Sequence, residues 1–414
     1  MFPEKPQHPT AILEALAAAR ARDVRYEDGR LFALVYGVSE EHARLLADAY
    51  GAYLATNGLG AGLVFPSLAK LEADVIGDTL ELLGNPEGAG SFTSGGTESI
   101  IMALRAAKET RRAAGTLPAE PEVVVPASAH PAFEKACALM EMRCVRTPLA
   151  ADYTADVAAF TSALSPRTVA AAASAPCYPF GVVDDVPALA AAAAERGVHF
   201  HTDACVGGFA LPWLEQAGHV RVPAWDFRVP GVCTMSADLH KYGFAARGTS
   251  LVLYRDAALK RAASFRLGTW VGGPYATPTL AGSRPGGAVA AAWAATRYFG
   301  REGYTRLHVG LLELTARYMA GVRAAGCRIL GAPPMSVFAF TPDDPAVDPN
   351  AVADRLLERE WALLRQPTTP PSLHLLLTPR HEPACERFVA DLADAVAAVR
   401  ASGARSTTTA DYTR

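Results

Sequence analysis

The chain has 414 residues, half of them apolar, and carries 39 lysines and arginines against 42 aspartates and glutamates for a formal net charge of −3. Such a length supplies a large buried core and more than one packed part. The lack of a basic excess argues against nucleic acid or an anionic membrane surface as partner and leaves a small molecule.

In chain order, residues 11–22 are alanine-rich with helical periodicity, and 39–55 reads as a helix opened by Ser39 with Glu40, Glu41 and Arg44 outward. Together they predict an N-terminal helical arm over residues 1–50. Gly58-x-Gly60-x-Gly62 is similar to part of a dinucleotide fingerprint, but Pro66 follows where a helix should continue, so no nicotinamide site is expected.

From about residue 90, short β-branched runs alternate with longer alanine-rich helical ones. The strands are predicted at 122–125, 144–146, from 168 into an alanine run, 198–201, 232–235 and 249–254. This alternation implies an α/β fold with a mostly parallel central sheet covered on both faces, filling a large domain over residues 51–288. The alanines at 188–194 belong to a helix closed by Glu195, Arg196 and Gly197. A helical stretch through Trp293 and Tyr298 to Gly303, then further helices and strands at 336–340 and 373–377, predict a smaller C-terminal α/β domain over 289–402. Residues 403–414 are polar and read as a flexible tail.

The seven cysteines, at 137, 144, 177, 205, 233, 327 and 385, are odd in number and show no Cys-x-x-Cys spacing. This argues against a disulfide framework and a structural zinc site and fits a reducing cytoplasm. Neither a signal peptide nor a run of ~18 apolar residues is apparent. No His-Glu-x-x-His or Gly-x-Ser-x-Gly occurs, so no metal site is expected and nucleophile-elbow chemistry has no support.

In open α/β sheets ligands collect beyond the carboxyl ends of the strands, and His130, Asp203 and Lys241 all follow predicted strands. In Ser236-Ala237-Asp238-Leu239-His240-Lys241-Tyr242-Gly243, one of few lysines stands after a histidine at the end of an apolar run. A pyridoxal 5′-phosphate (PLP) enzyme keeps its imine lysine in such a place. Alone, Lys241 could be a surface lysine before a turn. As a Schiff-base lysine it needs a neutral amine, and therefore a pKa lowered by burial and nearby cations. His240 could donate to the cofactor phosphate, and Ser236 is counted with the cofactor-binding residues.

Asp203, in His201-Thr202-Asp203-Ala204-Cys205, would keep the pyridine nitrogen protonated so that the ring draws electrons; it could instead cap a helix. His130, in Ser128-Ala129-His130-Pro131, would stack on that ring or be an ordinary loop histidine. Gly95, Gly96 and Thr97 form a turn whose amides can approach a phosphate at a helix N-terminus. A second glycine-rich loop, Gly282 to Gly287, offers amides and the Ser283 hydroxyl to the same phosphate, from this chain or a neighbouring subunit.

These stretches resemble the sphingosine-1-phosphate lyase branch of fold-type I PLP enzymes, within the group II decarboxylase superfamily, from about Phe32 to Arg380. The segments that carry the resemblance are 93–99, 203–208, 226–231, 236–243 and 277–286. The resemblance implies the fold-type I PLP transferase-like architecture, Lys241 as imine lysine, Asp203 at the pyridine nitrogen, His130 on the ring, and Gly96, Thr97, His240 and Ser283 around the phosphate. It also implies a homodimer with shared active sites and retro-aldol cleavage of Cα–Cβ in a β-hydroxy amine. Where the lyases grip a substrate phosphate with tyrosine, histidine and lysine, this chain has Tyr36, an Asn57-Gly58-Leu59-Gly60-Ala61-Gly62 stretch without histidine, and Arg247. Tyr36, Asn57 and Arg247 are therefore the expected substrate-binding residues, and the substrate is expected to be an anionic amine or amino acid. Amino-acid decarboxylation with the same cofactor is the alternative.

Overall fold

The computed structural model describes residues 2–408, so the expected tail falls outside the described residues from 409 onward. Seven strands form the central sheet: β1 (Ala89–Thr93), β2 (Glu122–Pro126), β3 (Arg143–Thr147), β4 (Thr168–Ser174), β5 (His199–Asp203), β6 (Val232–Ala237) and β7 (Ser250–Tyr254). Their order is β1-β7-β6-β5-β4-β2-β3, and β7 alone runs against the rest. Every residue of β2, β4 and β7 is buried, as expected when helices cover both faces of a parallel sheet. The Ala170–Ala173 run on β4 lets those helices pack close.

Registers bring the strand ends level: Ser174 pairs with Asp203, and Asp203 with Ser236. A two-stranded hairpin, β8 (Phe265–Leu267) and β9 (Tyr275–Thr277), follows. The second sheet is antiparallel, with β10 (Cys327–Leu330), β11 (Val337–Pro342), β12 (Leu364–Gln366) and β13 (Ser372–Leu376) in the order β10-β11-β13-β12. One helix, Gly286–Ala324, joins the two sheets and breaks at Gly300, whose φ of 55° suits a residue without Cβ. The sequence pattern ends that first helical stretch at Gly303; in the structure it breaks three residues earlier and resumes.

The N-terminal region divides. The helix Pro9–Ala19 buries no residue, whereas Phe32 is wholly buried, stacks on His381 at 4.7 Å and exchanges backbone hydrogen bonds with Ala362 and Leu376. Pro66 does not interrupt a helix. It opens Pro66–Leu82 from the first helical position, where a missing N–H costs nothing. All seven cysteines are free, and among the described residues no helix is long and apolar enough to cross a membrane.

Candidate active site

The carboxyl ends of five aligned strands open into one cavity of about 330 Å³, the size of a small-ligand pocket. β1 delivers Ser94, Gly95, Gly96 and Thr97, and the loop after β2 delivers His130. β4 ends at Ser174 and leads to Pro176 and Tyr178; β5 supplies Asp203 and Cys205, and β6 leads to Asp238, His240 and Lys241.

Gly96 begins the 18-residue helix Gly96–Ala113, so first-turn N–H groups and the positive end of the helix dipole meet at the cavity. A Cβ on Gly96 would lie 2.6 Å from Cys205 Sγ and 2.9 Å from Asp238 Oδ2, so only glycine fits without displacement. Glu98 fastens this turn. One carboxylate oxygen accepts from Ser94 N and Oγ at 2.7 Å, and the other from Leu280 N at 2.9 Å.

Asp203 is held from behind. Its Oδ1 accepts from Cys205 N at 3.0 Å and Ser236 Oγ at 3.1 Å, leaving Oδ2 for a ligand in the cavity it lines. Ser236 Oγ also meets His201 Nε2 at 3.2 Å, and Thr234 Oγ1 lies 3.0 Å from His201 Nδ1 and 2.8 Å from His199 Nε2. Burial, against the opposing charge of Asp203, pushes His201 down to about 4, so it is neutral in this chain. His130 Nδ1 accepts from Ala132 N at 3.1 Å, which places the ring proton on Nε2. Burial lowers its pKa, against the pull of Asp203.

Lys241 departs from the expectation of a lowered pKa. Burial acts in that direction, but the Asp238 carboxylate, aided by Cys205, Tyr36 and Asp203, reverses it and holds the ammonium well above its ordinary value. The neighbouring His240 does not replace that effect, being pushed down to about 4, chiefly by burial. Behind Lys241, Tyr242 donates its hydroxyl to Ser336 O at 2.8 Å and Leu377 O at 3.1 Å. The Tyr242 carbonyl accepts from His308 Nε2 at 3.1 Å, and Gly243 O accepts from Tyr304 at 2.8 Å.

The cavity thus gathers Gly95, Gly96, Thr97, His130, Asp203, His240 and Lys241. Ser236 is wholly buried behind Asp203 and is not on the wall. Asn57, Gly282 and Ser283 lie off it as well. Asn57 Nδ2 donates to Ser283 Oγ at 3.1 Å, and its Oδ1 accepts from Leu59 N and Arg284 N, so both ends of the amide fasten two loops together. Tyr36 and Arg247 are also off the wall: the guanidinium stands 5.4 Å over the Tyr36 ring, which meets the ring of Tyr242, the residue after Lys241, edge-on at 5.2 Å. Sequence reasoning missed Asp238, Glu98 and Tyr178. Asp238 and Glu98 sit inside motifs already singled out, three residues before the lysine and one after Thr97.

Residues 1–330 match the pyridoxal-dependent decarboxylase conserved domain. The chain is 37% identical over 399 residues to a sphingosine-1-phosphate lyase of Dictyostelium discoideum, covering 95% of this chain and 73% of that one. It belongs to the sphingosine-1-phosphate lyase-like family of PLP-dependent enzymes. A solved sphingosine-1-phosphate lyase structure from Burkholderia pseudomallei superposes with a TM-score of 0.92 at 37% identity, covering 97% of this chain and 93% of that chain. A probable L-tyrosine/L-aspartate decarboxylase of Methanothermobacter thermautotrophicus is 34% identical over 358 residues, covering 86% of this chain and 93% of that one. The chain is accordingly a PLP-dependent lyase of the α/β fold that this family shares.

The residues present fit that cofactor. The glycine turn at a helix N-terminus suits a phosphate, the carboxylate with one uncommitted oxygen suits a ring nitrogen, and Lys241, its side chain 21% exposed, suits an aldehyde reached from the cavity.

Proposed function

We propose that this enzyme cleaves the Cα–Cβ bond of an anionic, phosphorylated β-hydroxy amine to an aldehyde and an amine, acting as a cytoplasmic homodimer. The observation that carries this reading is the meeting of Lys241, Asp203, His130 and the Gly96 turn in one cavity, in a chain 37% identical to a lyase of that name. Bound PLP supplies a carbonyl that an amine can join and a ring that draws electrons out of the bond being broken.

The chain's own residues do the rest. The Gly96 and Thr97 amides would hold the cofactor phosphate with the helix dipole behind them, with His240 available to it. His130 would support the ring. Asp203, its Oδ1 fixed by Ser236 and Cys205, would keep the ring nitrogen protonated. Lys241 Nζ would supply the amine.

Tyr36 and Arg247 take the substrate anion. Arg247 is exposed and has no carboxylate partner within 4 Å among the described residues, and a guanidinium binds phosphate or carboxylate bidentately. Asn57 is withdrawn from this role, because both ends of its amide are engaged. Gly282 and Ser283, off the wall of their own chain, are assigned to the phosphate site of a second copy. Exposed Leu63, Trp270, Val271 and Leu280, at 88%, 54%, 99% and 65%, support a covering subunit on the side of the chain that carries this loop.

The test is incubation of the PLP-loaded protein with sphingosine 1-phosphate, shorter phosphorylated β-hydroxy amines and a panel of amino acids, with products read by mass. An aldehyde with its matching amine supports the lyase. Carbon dioxide without aldehyde means the decarboxylase, which the missing histidine at 57–60 and Arg247 favour. Neither product from any of them overturns the reading.

A further inference from the structure

Asp238 comes directly after β6 and is 2% exposed. Its Oδ2 lies 3.0 Å from Lys241 Nζ and 3.6 Å from His240 Nε2, and Oδ1 is buried without a hydrogen-bond partner among the described residues. Several other aspartates here give oxygens to backbone amides. Asp184 accepts from Ala155 N and Ser174 N, Asp256 from Ala258 N and Leu259 N, and Asp203 from Cys205 N. Asp238 accepts from no backbone amide among the described residues. Local backbone geometry therefore does not account for a carboxylate at this depth; a neighbouring cation, seconded by the Ser250 hydroxyl, does.

Five titratable groups face this pair, with the Ser250 hydroxyl of β7 against Asp238. His240 lies on its own loop, Asp203 and Cys205 come from the end of β5, His130 from the loop after β2, and Tyr36 from the N-terminal segment. Arg247 acts on His240. Asp203 is the other carboxylate, but its Oδ1 is taken by Cys205 and Ser236, and His240 is neutral. A backbone bond from Lys241 N to Asp238 O at 3.2 Å closes the same turn and keeps the two side chains abreast.

We propose that Asp238 is the charge partner of Lys241, holding its amine as an ammonium ion beside the Gly96 turn whenever that amine is not joined to the cofactor, and so setting the pH at which the free amine appears. The proposal rests on reading Lys241 as the cofactor lysine. For Nζ to act as a nucleophile it must give up one proton, to Asp238 or to water in the open cavity, and it recovers one proton when it is released. Asp238 acts through Lys241 and is a positioning residue.

The experiment uses the cofactor-free protein. The chain has six lysines, so acetylation by acetic anhydride can be followed at each by peptide mass over pH 6 to 11, with exposed Lys135 as internal reference. In the wild type, the Lys241 rate should still be rising with pH where Lys135 has levelled. Asp238→Asn, the same shape without the charge, should bring the levelling pH of Lys241 down by at least one unit and leave Lys135 unmoved. The uptake of added PLP, read by absorbance at pH 7, should be at least tenfold faster in the variant.

Identical Lys241 profiles in the two proteins would overturn the proposal. Should Asp238→Asn not fold, the wild-type profile decides: levelling of Lys241 below Lys135 refutes the pair. Because no substrate is used, absence of aldehyde release leaves this result standing, whereas failure to bind PLP at all sinks the reading on which it rests.

Discussion

Acidifying the cofactor-free protein from pH 7.5 to 5 should unfold it, and five histidines set the size of the effect. His42, His201, His308, His374 and His381 are each at most 3% exposed. Burial first, offset in part by backbone carbonyls or by Asp203 in all but His42, pushes their pKa values down to about 4, 4, 3, 4 and 4. The cause is visible in their partners. His42 Nε2 and His374 Nδ1 have none among the described residues, while His308 and His381 already donate through Nε2 to Tyr242 O and Leu31 O. A second proton on His42 Nε2 or His374 Nδ1 would find no acceptor among the described residues, whereas His381 Nδ1 has Thr378 O at 3.2 Å.

In the unfolded chain each histidine titrates near ~6.5. Below that pH the unfolded state binds protons that the native state refuses, so stability falls as pH falls, down to the folded values near 4. By pH 5 this amounts to about 2 kcal/mol for each histidine and about 10 kcal/mol for five. Asp184 works the other way. Burial raises it to about 6, so the native state takes up its proton first and regains about 1 kcal/mol by pH 5. The net loss of about 9 kcal/mol matches the whole stability of an ordinary domain, about 5–15 kcal/mol. Urea unfolding by circular dichroism at pH 7.5, 6.5 and 5.5, with proton uptake measured by titration, checks this. Stability unchanged to within about 1 kcal/mol between pH 7.5 and 5.5 would mean that these rings ionise inside the fold, and the reasoning would fail.

Lys241→Ala should abolish the bound-cofactor absorption and turnover; it should also cost about 3–5 kcal/mol by leaving Asp238 buried alone, a loss that Asp238→Asn in the same chain should largely reverse in urea unfolding. Ser236→Ala removes a partner from both Asp203 and His201 and should lower stability by about 1–3 kcal/mol, with weaker PLP binding by absorbance titration. Gly96→Ala should reduce PLP affinity at least tenfold, because its Cβ meets Cys205 and Asp238, and equal retention in a dialysis assay would contradict this steric account. Arg247→Ala should raise KM at least tenfold with the cofactor spectrum intact; loss of bound PLP would show that the residue is misplaced.

The strands from β2 to β7 were legible because short β-branched or alanine runs alternate with helical stretches, and the order of the ligand-bearing loops followed from that. β1 was not, since Ala-Gly-Ser-Phe-Thr has no β-branched run and is a strand by virtue of pairing with β7. Ser236 was counted with the cofactor-binding residues because its motif is contiguous with Lys241. On β6, however, its side chain goes to neighbouring β5, to Asp203 and His201. Asp238 was invisible as a partner of Lys241 because i,i+3 proximity in a loop depends on how the turn closes, which no residue pattern specifies. The contacts of Asn57 were not legible because its amide meets Ser283 and Arg284, more than two hundred positions later.

The hydroxyl of Tyr242 reaches carbonyls at Ser336 and Leu377, so the neighbour of Lys241 is fastened by chain synthesised about 95 and 135 residues after it. During translation the large sheet can assemble while those carbonyls are still inside the ribosome. The lysine loop would then wait, unlatched, until the C-terminal sheet emerges and docks. Cofactor capture is therefore a late event in the making of this protein, and nascent chains stopped short of residue 377 should remain colourless even with the central sheet complete.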